Sequence, residues 1–495
     1  MPFPYDDFRT FADECEKEGL LVRIQKEVDW NLEAGAIARR LAERGKGRPV
    51  TGGGGGTPAV LFEKIKGYPK GFRMASQITG SIDRVIKAYG YDYKSKDLSS
   101  IKADLVEMSL KGLRKLTKPV LVDSKNAPCK QNKMIGDEVN LYKFPAPMLH
   151  DGDGGRYLQT FGFMVTKDPD SDWVNWGCYR AMIHDKKTLG GIIEYQQDIG
   201  KHYQKYEAKN QPMPFAIVVG PDPLSFSIGG SAVPAGTSEV DVAGGIRGKP
   251  VPLVKCETND LQVPASAEIV VEGFVPPHKR VWEGPYGEYT GYRASPRDKR
   301  PIYQVTAVTY RDNPILTFNA TGTPIADFGS SFAESAMAVE HLRRVGINAR
   351  VWLMPESGFT LCVIAVKNPS PNIATMIKNT LTSQMGVMCI WTYKFLIVND
   401  DIDIYDPAEI VWAISTRVHP IRGIIVSHEI CGPLAPFASL EERLKRNAPH
   451  VTFDATWPLD WHPTIAVPPV ASFKNIFSQE LQDKVLQNWK EYGLD

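Results

Sequence analysis

The spacing of hydrophobic and polar positions changes twice along the chain, and it predicts three domains. In residues 1–125, apolar positions recur three and four apart after polar capping residues, with short apolar runs between them, as in an α/β domain. Asp6 or Asp7 and Asn31 are the expected caps of the first two helices. Further helices are predicted at 81–89 and 99–113, and strands at 21–24, 59–62 and 119–122.

Residues 126–323 are richer in β-branched residues, proline and glycine, and their apolar runs are short. Many short strands separated by turns are typical of a barrel or a sandwich. The predicted strands are at 161–166, 179–185, 215–219, 251–253, 268–275 and 302–310, with helical interruptions at 198–209 and 239–244.

Residues 324–495 return to an alternation of strands and helices, which predicts a mostly parallel sheet covered by helices. A last helix at 478–489 is expected to dock on a partner subunit. The other predicted helices are at 330–345, 372–384 and 407–417, and the strands at 349–353, 360–366, 394–398 and 424–427.

Composition excludes several classes of protein. The 495 residues carry a formal net charge of +1, which argues against a nucleic-acid-binding protein. No apolar run approaches the roughly 20 residues that span a bilayer, and the start of the chain lacks the pattern of a secretory signal. The seven cysteines are scattered and form no CxxC pair, so we expect reduced thiols in a cytoplasmic protein.

Five consecutive glycines, Gly52–Gly56, invite comparison with a phosphate-binding loop. The run lacks the Lys-Ser/Thr that follows in such loops, and it does not lie between a strand and a helix. A flexible loop or an insertion is the better interpretation.

The segment EGPYGEYTGY (283–292) is the strongest candidate for chemistry. Glu283 and Glu288 are five residues apart, a spacing that neither a helix nor a strand places side by side, but a glycine–proline bend can. The aromatic residues around them indicate a dry wall, which raises the pKa of a carboxyl and suits a general acid. A surface turn with two solvated acids is the alternative.

The segment DWVNWGCYRAMIHD (172–185) contains Arg180 between apolar neighbours. On a strand, Cys178, Arg180 and Met182 share one face. A buried guanidinium needs an anionic partner, and Glu283 or Glu288 is the obvious one. The pattern leaves open whether this is a structural ion pair or a clamp for a substrate.

Three further residues have metal-ligand chemistry. Asn175, His202 and Glu239 together would offer two oxygens and one imidazole, a set that suits Mn²⁺ or Mg²⁺. Taken singly, His202 fits an exposed position on a polar helix, and Glu239 fits a helix N-terminus. Lys394 begins an apolar strand, where it can reach solvent or an anion such as a phosphate.

These motifs resemble the UbiD family of prenylated-FMN-dependent decarboxylases, with particular similarity to the fungal ferulic and cinnamic acid decarboxylases. The resemblance covers nearly the whole chain and implies an N-terminal α/β domain, a central split β-barrel like that of flavin reductases, and a C-terminal α/β domain that makes the dimer. It rests on DWNLEAGAIARR, NWGCYRAMIHD, VKCETNDLQVPASAEIVVEG, EGPYGEYTGY, NDDIDIYDPAEIVWAISTR and ASFKNIF.

The resemblance also assigns site residues. It implies a catalytic set of Arg180, Glu283 and Glu288, with Glu288 as the proton donor and Arg180 holding the substrate carboxylate. It implies that the cofactor phosphate is held through Mn²⁺ or Mg²⁺, with Asn175, His202 and Glu239 as ligands, and that K⁺ lies nearby. The remaining implied contacts are Trp176, Ser231 and Glu239 for K⁺, and Trp176, Gly177, Cys178, Tyr179, Arg180 and Lys394 for the flavin and its phosphate.

The implied activity is reversible, non-oxidative decarboxylation of an aromatic, heteroaromatic or α,β-unsaturated carboxylic acid, with release of CO₂. A flavin prenyltransferase would supply the cofactor, and the enzyme would be a homodimer or a hexamer. The segment GPLAPF (432–437), which includes Phe437 as a residue of the substrate pocket, differs from the family pattern, as does Lys201. An FMN-dependent reductase on the same barrel is the alternative, although no GxGxxG fingerprint follows a strand.

Overall fold

The computed structural model describes residues 5–44, 57–92, 96–323, 327–384 and 390–494, so the glycine run at 52–56 lies outside the described part of the chain. The first segment is α/β, as predicted. Asp7 caps the first helix through a 2.8 Å hydrogen bond from the backbone N–H of Thr10. Asn31 caps no helix, because its backbone bridges to Met148 and the second helix begins later, at Glu33. The elements are α1 Phe8–Lys17, β1 Leu21–Ile24, α2 Glu33–Arg44, β2 Ala59–Phe62, β3 Arg73–Ser76, α3 Ile82–Ala88, α4 Leu98–Arg114 and β4 Val120–Leu121.

The middle segment is mainly β-structure with three helices. Its elements are β5 Asn132–Ile135, β6 Tyr157–Gln159, β7 Gly162–Lys167, β8 Val174–Gly177, β9 Ala181–Ile183, β10 Thr188–Gly190, α5 Asp198–Ala208, β11 Met213–Val219, α6 Pro223–Gly229, α7 Glu239–Arg247, β12 Pro252–Lys255, β13 Gln262–Pro264, β14 Ile269–Val275, β15 Arg280–Glu283, β16 Asp298–Tyr310 and β17 Ile315–Phe318.

Ten of these strands form one antiparallel sheet that curls into a half-barrel, which confirms the predicted barrel-like domain. Its main path runs β6-β9-β10-β16-β14-β11-β7-β8, and β5 and β15 also pair with β16. The strands β8 and β9 lie near opposite ends of this path, although only residues 178–180 connect them. Four residue steps span at most about 14 Å, so the sheet must curl until its two ends approach each other.

This connection corrects the predicted strand at 179–185. Pairing with β7 ends at Gly177, and β9 begins only at Ala181, so Cys178, Tyr179 and Arg180 lie between strands. The predicted common strand face of Cys178, Arg180 and Met182 therefore does not exist, because the chain crosses the open side of the half-barrel there.

The half-barrel is buried on both faces, which explains its continuous apolar runs. In β11, Phe215, Ile217 and Val219 face one hydrophobic core. Ala216 and Val218 face a second core, which α4, α6, α7 and α8 also build. A smaller sheet, β1-β2-β3-β17, completes the N-terminal segment with a strand from residues 315–318.

The last segment carries a five-stranded sheet of order β18-β19-β20-β22-β21. Its three central strands are parallel and both edge strands are antiparallel, so the predicted parallel sheet is confirmed only at its centre. No helix in the described ranges combines the length and apolar character needed to cross a bilayer. The elements are α8 Gly329–Arg344, β18 Ala349–Leu353, β19 Leu361–Val366, α9 Ile373–Gln384, β20 Lys394–Asn399, α10 Pro407–Arg417, β21 Ile424–Ile430, α11 Leu440–Lys445, β22 Asn447–Ala455, α12 Phe473–Ile476 and α13 Gln479–Gln487.

Candidate active site

A glycine–proline bend brings the two acids of EGPYGEYTGY together. Glu283 is the last residue of β15, and Gly284 then adopts a φ of +80°, a backbone conformation that favours glycine. The bend packs closely on a second glycine, because a Cβ atom on Gly154 would lie 2.1 Å from the carbonyl oxygen of Gly284. The N–H of Gly154 also donates a 2.7 Å hydrogen bond to the carbonyl of Pro285.

Both acids contact the guanidinium of Arg180. Its Nε and Nη2 atoms donate to Oε1 and Oε2 of Glu283 at 2.9 and 2.8 Å, a bidentate pair, and its Nη1 atom donates to Glu288. All three side chains are at most 8% exposed. Burial alone would lower the pKa of Arg180, but the two carboxylates outweigh it and raise the pKa. The alternative of two solvated acids is therefore wrong.

Tyr157 completes this cluster, and the sequence did not reveal it. Its hydroxyl donates a 2.7 Å hydrogen bond to Oε1 of Glu283, and its ring lies 4.5 Å from the ring of Tyr286. Glu283 thus accepts three hydrogen bonds from two side chains. A proton on Glu283 would displace one of these donors, whereas among the described residues only Arg180 donates a side-chain hydrogen bond to Glu288.

The two acids are therefore not equivalent. Burial raises the pKa of Glu288; Arg180 opposes this shift, and the negative charge of Glu283 adds to it. A buried carboxyl with a raised pKa that faces a cavity has the properties of a general acid.

Glu288 faces a cavity between the half-barrel and the C-terminal segment. Tyr286 and Tyr289 line the cavity, whereas Trp282 and Tyr292 are 48% and 63% exposed, so only two of the four aromatic residues near the acids form the expected dry wall. All six residues from 175 to 180 also line it. The opposite wall is largely apolar, with Leu353, Phe359, Ile390, Trp391, Pro433 and Leu434.

Oxygen donors line another part of the same cavity. Asn175 lies on β8, and Asp198 and Glu239 are the first residues of α5 and α7. Burial raises the pKa of Asp198, and it raises the pKa of Glu239 well above its usual value, where the charge of Asp198 adds to the shift. Lys201 offsets part of the charge through a 2.7 Å ion pair with Asp198. Two buried carboxylates beside an amide oxygen are a suitable ligand set for a hard cation.

His202 is linked to Asn175 through the hydroxyl of Thr166, and its buried Nε2 atom has no hydrogen-bond partner in the described structure, so its role as a ligand stays a prediction. It lies one helical turn beyond Asp198, outside the residues that line the cavity. Its Nδ1 atom is 3.0 Å from the hydroxyl of Thr166, and its ring packs edge-on against Trp173. Burial lowers its pKa to about 4. The sequence does contain a signal for Asp198, because it precedes His202 by four residues and therefore lies on the same face of α5. The sequence does not show how deeply each turn of this helix is buried.

Lys394 and Phe437 also lie apart from the cavity lining. Lys394 begins β20, and its Nζ atom is 4.8 Å from the ring centroid of Phe437. Phe437 is 46% exposed, so the predicted role in the substrate pocket finds no support in its position. Its neighbours Gly432, Pro433 and Leu434 line the cavity instead.

Comparison with known proteins places these features in a family. Models of the N-terminal, Rift-related and C-terminal domains of 3-octaprenyl-4-hydroxybenzoate carboxy-lyase match residues 12–99, 120–324 and 330–453. The chain is 30% identical to pyrrole-2-carboxylic acid decarboxylase of Pseudomonas aeruginosa, over 98% of both chains. It is 32% identical to ferulic acid decarboxylase 1 of Saccharomyces cerevisiae, over 99% of both.

Solved structures agree with this assignment. Vanillic acid decarboxylase of Sedimentibacter hydroxybenzoicus, in its closed form, superposes with a TM-score of 0.86 at 27% identity and covers 98% of this chain and 99% of its own. An evolved dimeric form of the UbiD-class enzyme HmfF from Pelotomaculum thermopropionicum, in complex with prFMN, gives a TM-score of 0.76 at 26% identity and covers 94% of this chain and 97% of its own. With three domain models matched in order and the Arg180 cluster assembled, this chain belongs to the UbiD family of carboxy-lyases.

Proposed function

We propose that this protein catalyses the reversible, non-oxidative decarboxylation of an aromatic, heteroaromatic or α,β-unsaturated carboxylic acid with prenylated FMN as cofactor. The observation that carries the proposal is the guanidinium of Arg180 held between Glu283 and Glu288 at the wall of one large cavity. The relatives are named as decarboxylases of pyrrole-2-carboxylic, ferulic and vanillic acids, and these names support the proposed class of substrate.

In this mechanism the chain positions the acid and moves one proton. Arg180 orients the substrate carboxylate, and the aromatic wall holds the ring and excludes water. Prenylated FMN, when bound, supplies the electron sink that a leaving carboxylate on an sp² carbon requires. The bond to the carboxyl carbon breaks, CO₂ departs, and Glu288 delivers its proton to the carbon that carried the carboxylate. In the reverse direction Glu288 removes that proton.

The residues present fit the cofactor and its cations. Residues 175–180 provide a continuous stretch of backbone along the cavity, and the indole N–H of Trp176 is a buried donor without a partner among the described residues. Asn175, His202 and Glu239 would hold Mn²⁺ or Mg²⁺, and Asp198, at the cavity wall, would offer a further oxygen ligand. Trp176, Ser231 and Glu239, all at the cavity wall, would hold K⁺.

A reductase using unmodified FMN is the weaker candidate. A reductase activity would give the cluster of Arg180, Glu283 and Glu288 no catalytic role, and the relatives named above are decarboxylases.

Assembly and supply of the cofactor follow from the same proposal. A flavin prenyltransferase would provide the cofactor in the cytoplasm, where the six described cysteines remain free thiols. The C-terminal segment exposes large apolar residues, such as Ile421 at 84%, Val426 at 62% and Leu486 at 60%, which suit a contact with a second copy in a homodimer.

Co-expression with a flavin prenyltransferase, followed by mass analysis of the bound flavin and a screen of carboxylic acids for CO₂ release, tests the proposal. We expect prenylated FMN in the wild type and turnover of at least one ring acid. Glu288→Gln should retain the cofactor and lose more than about 100-fold in rate, in the range for loss of a general acid. Oxidation of NAD(P)H without CO₂ release would favour the reductase instead.

A further inference from the structure

The cavity wall contains buried polar atoms that no protein group satisfies. Among its lining residues in the described part of the chain, Gln159 Oε1, Trp176 Nε1, Asn319 Oδ1 and Glu334 Oε2 have no hydrogen-bond partner. Only one of the four belongs to a carboxyl group, which is the most costly of these groups to bury unpaired. Glu334 is therefore the residue that most requires a partner from outside the chain.

One carboxylate oxygen of Glu334 accepts a hydrogen bond from the protein, and the other has no hydrogen-bond partner among the described residues. Glu334 lies on α8 and is 2% exposed. Its Oε1 atom accepts a 2.7 Å hydrogen bond from the backbone N–H of Ala232, and no cationic side chain in the described ranges pairs with it. Burial raises the pKa of Glu334 to about 7. A hydrogen-bond donor placed at Oε2 would offset the free-energy cost of burying this unpaired oxygen.

Glu334 lies on a helix that contacts the apolar wall of the cavity, where the ring of a substrate would pack. On the helix that carries it, the Ser335 hydroxyl accepts a 2.9 Å hydrogen bond from the N–H of Leu353, a residue of the apolar wall. The same wall contains Phe359, whose ring lies 6.1 Å from that of Tyr289, the residue after the proton donor. An aromatic acid anchored at Arg180 would lie along this wall. The proposed ligands of Mn²⁺ or Mg²⁺ lie on β8, α5 and α7, whereas Ser231, proposed for K⁺, directly precedes Ala232.

We infer that Glu334 accepts a hydrogen bond from a hydroxyl or a ring N–H of the substrate, and so selects aromatic and heteroaromatic acids that carry such a donor away from the carboxylate. The inference rests on the proposed function for its anchor at Arg180. A free hydroxyl or N–H satisfies Oε2, whereas a methoxy group, an N-methyl group or a plain C–H leaves it unpaired. Sites built to bond a substrate hydroxyl discriminate strongly against analogues that lack it.

Matched pairs of acids test the inference on the holoenzyme. The pairs are hydroxy- and methoxy-substituted benzoates and cinnamates, and ring N–H acids with their N-methyl counterparts. For wild type we expect kcat/KM to favour the donor-bearing member of the accepted pair by about 100-fold. Glu334→Leu should reduce this ratio to near one. Glu334→Gln should reverse it, because its amide oxygen can keep the Ala232 bond while its NH₂ group faces the ligand.

Two controls separate the possible failures. Glu340→Gln makes the same chemical change on the same helix, at a residue paired with Arg114 and Arg343, and should leave the ratio unchanged. Dissociation constants of the same acids, measured in a Glu288→Gln background, report recognition without turnover and remain informative if no acid is decarboxylated. An unchanged ratio in both Glu334 variants would overturn the inference and leave the proposed function intact. Loss of bound flavin in those variants would also overturn it, because Glu334 would then contact the cofactor.

Discussion

The hydroxyl of Tyr157 donates a 2.7 Å hydrogen bond to Oε1 of Glu283, a residue 126 positions further along the chain. This contact leaves Glu283 with three donors and separates its role from that of Glu288, although both acids contact one guanidinium. The burial of the ring beside Tyr286 prevents water from replacing the hydroxyl. Tyr157 therefore acts through Glu283 as a positioning residue.

Replacing Tyr157 with phenylalanine should lower kcat about tenfold, because a hydrogen bond to a charged group contributes about 1.5–3 kcal/mol and part of it is felt in the transition state. The pH dependence of kcat should also shift, since Glu283, which shares Arg180 with Glu288, would lose one of its hydrogen-bond donors. Tyr303→Phe is the matched control, because the Tyr303 hydroxyl is buried in the same core and has no partner in the described structure. Equal effects of the two variants would contradict the role of Tyr157.

The rate of decarboxylation should fall as pH rises. Burial raises the pKa of Glu288, Arg180 opposes the shift and Glu283 adds to it, so the net direction is upward and the carboxyl keeps its proton at a higher pH than an exposed glutamate. Proton donation needs that form, and kcat should therefore drop about tenfold per pH unit above the pKa. Measurements of kcat between about pH 5 and pH 9 check this, and a rate that climbs throughout the range would exclude Glu288 as the donor.

The affinity for Mn²⁺ should depend on both Asp198 and His202. Asp198→Asn removes a carboxylate that lines the cavity, and we expect a loss of affinity of at least about tenfold. His202→Gln should also weaken the affinity, because Nδ1 lies 3.0 Å from the Thr166 hydroxyl and the buried Nε2 atom stays available to a metal ion. Titration of the flavin-free protein, followed by electron paramagnetic resonance, measures both variants, and an unchanged affinity in the His202 variant would exclude it as a ligand.

Glu334 should make the protein less stable as pH rises. Burial raises its pKa from 4.5 to about 7, so the folded state binds the proton more tightly than the unfolded chain. Its stabilising effect is complete below about pH 4.5 and is lost as pH rises to about 7, a change on the order of 3 kcal/mol.

The comparison with Glu334→Gln isolates this effect, because glutamine does not titrate. The melting temperature of the variant relative to wild type should increase between about pH 4.5 and 7 and then level off. A difference between the two proteins that is constant over this range would contradict the assignment.

Local patterns allowed most elements to be predicted. Strands β1, β2 and β18 and helix α10 have the predicted bounds, because their apolar periods and flanking caps are local. The bend at EGPYGEYTGY was predictable for the same reason, since glycine and proline restrict the backbone wherever they occur. The strand β22 was missed, because its alternation of burial arises from neighbours far away in the chain.

The sequence by itself determined the family, the order of the three segments and the pairing of Arg180 with Glu283 and Glu288, because an arginine among apolar residues and two acids at a bend can be stabilised in few ways. Only the tertiary structure decided which side chains complete the site. Asp198 and His202 lie on one helix face, and the packing of that helix alone decides that the aspartate lines the cavity. Tyr157 and Glu334 belong to no motif of the sequence, and they are distinguished only by contacts with Glu283 and Ala232, more than 100 positions away in each case.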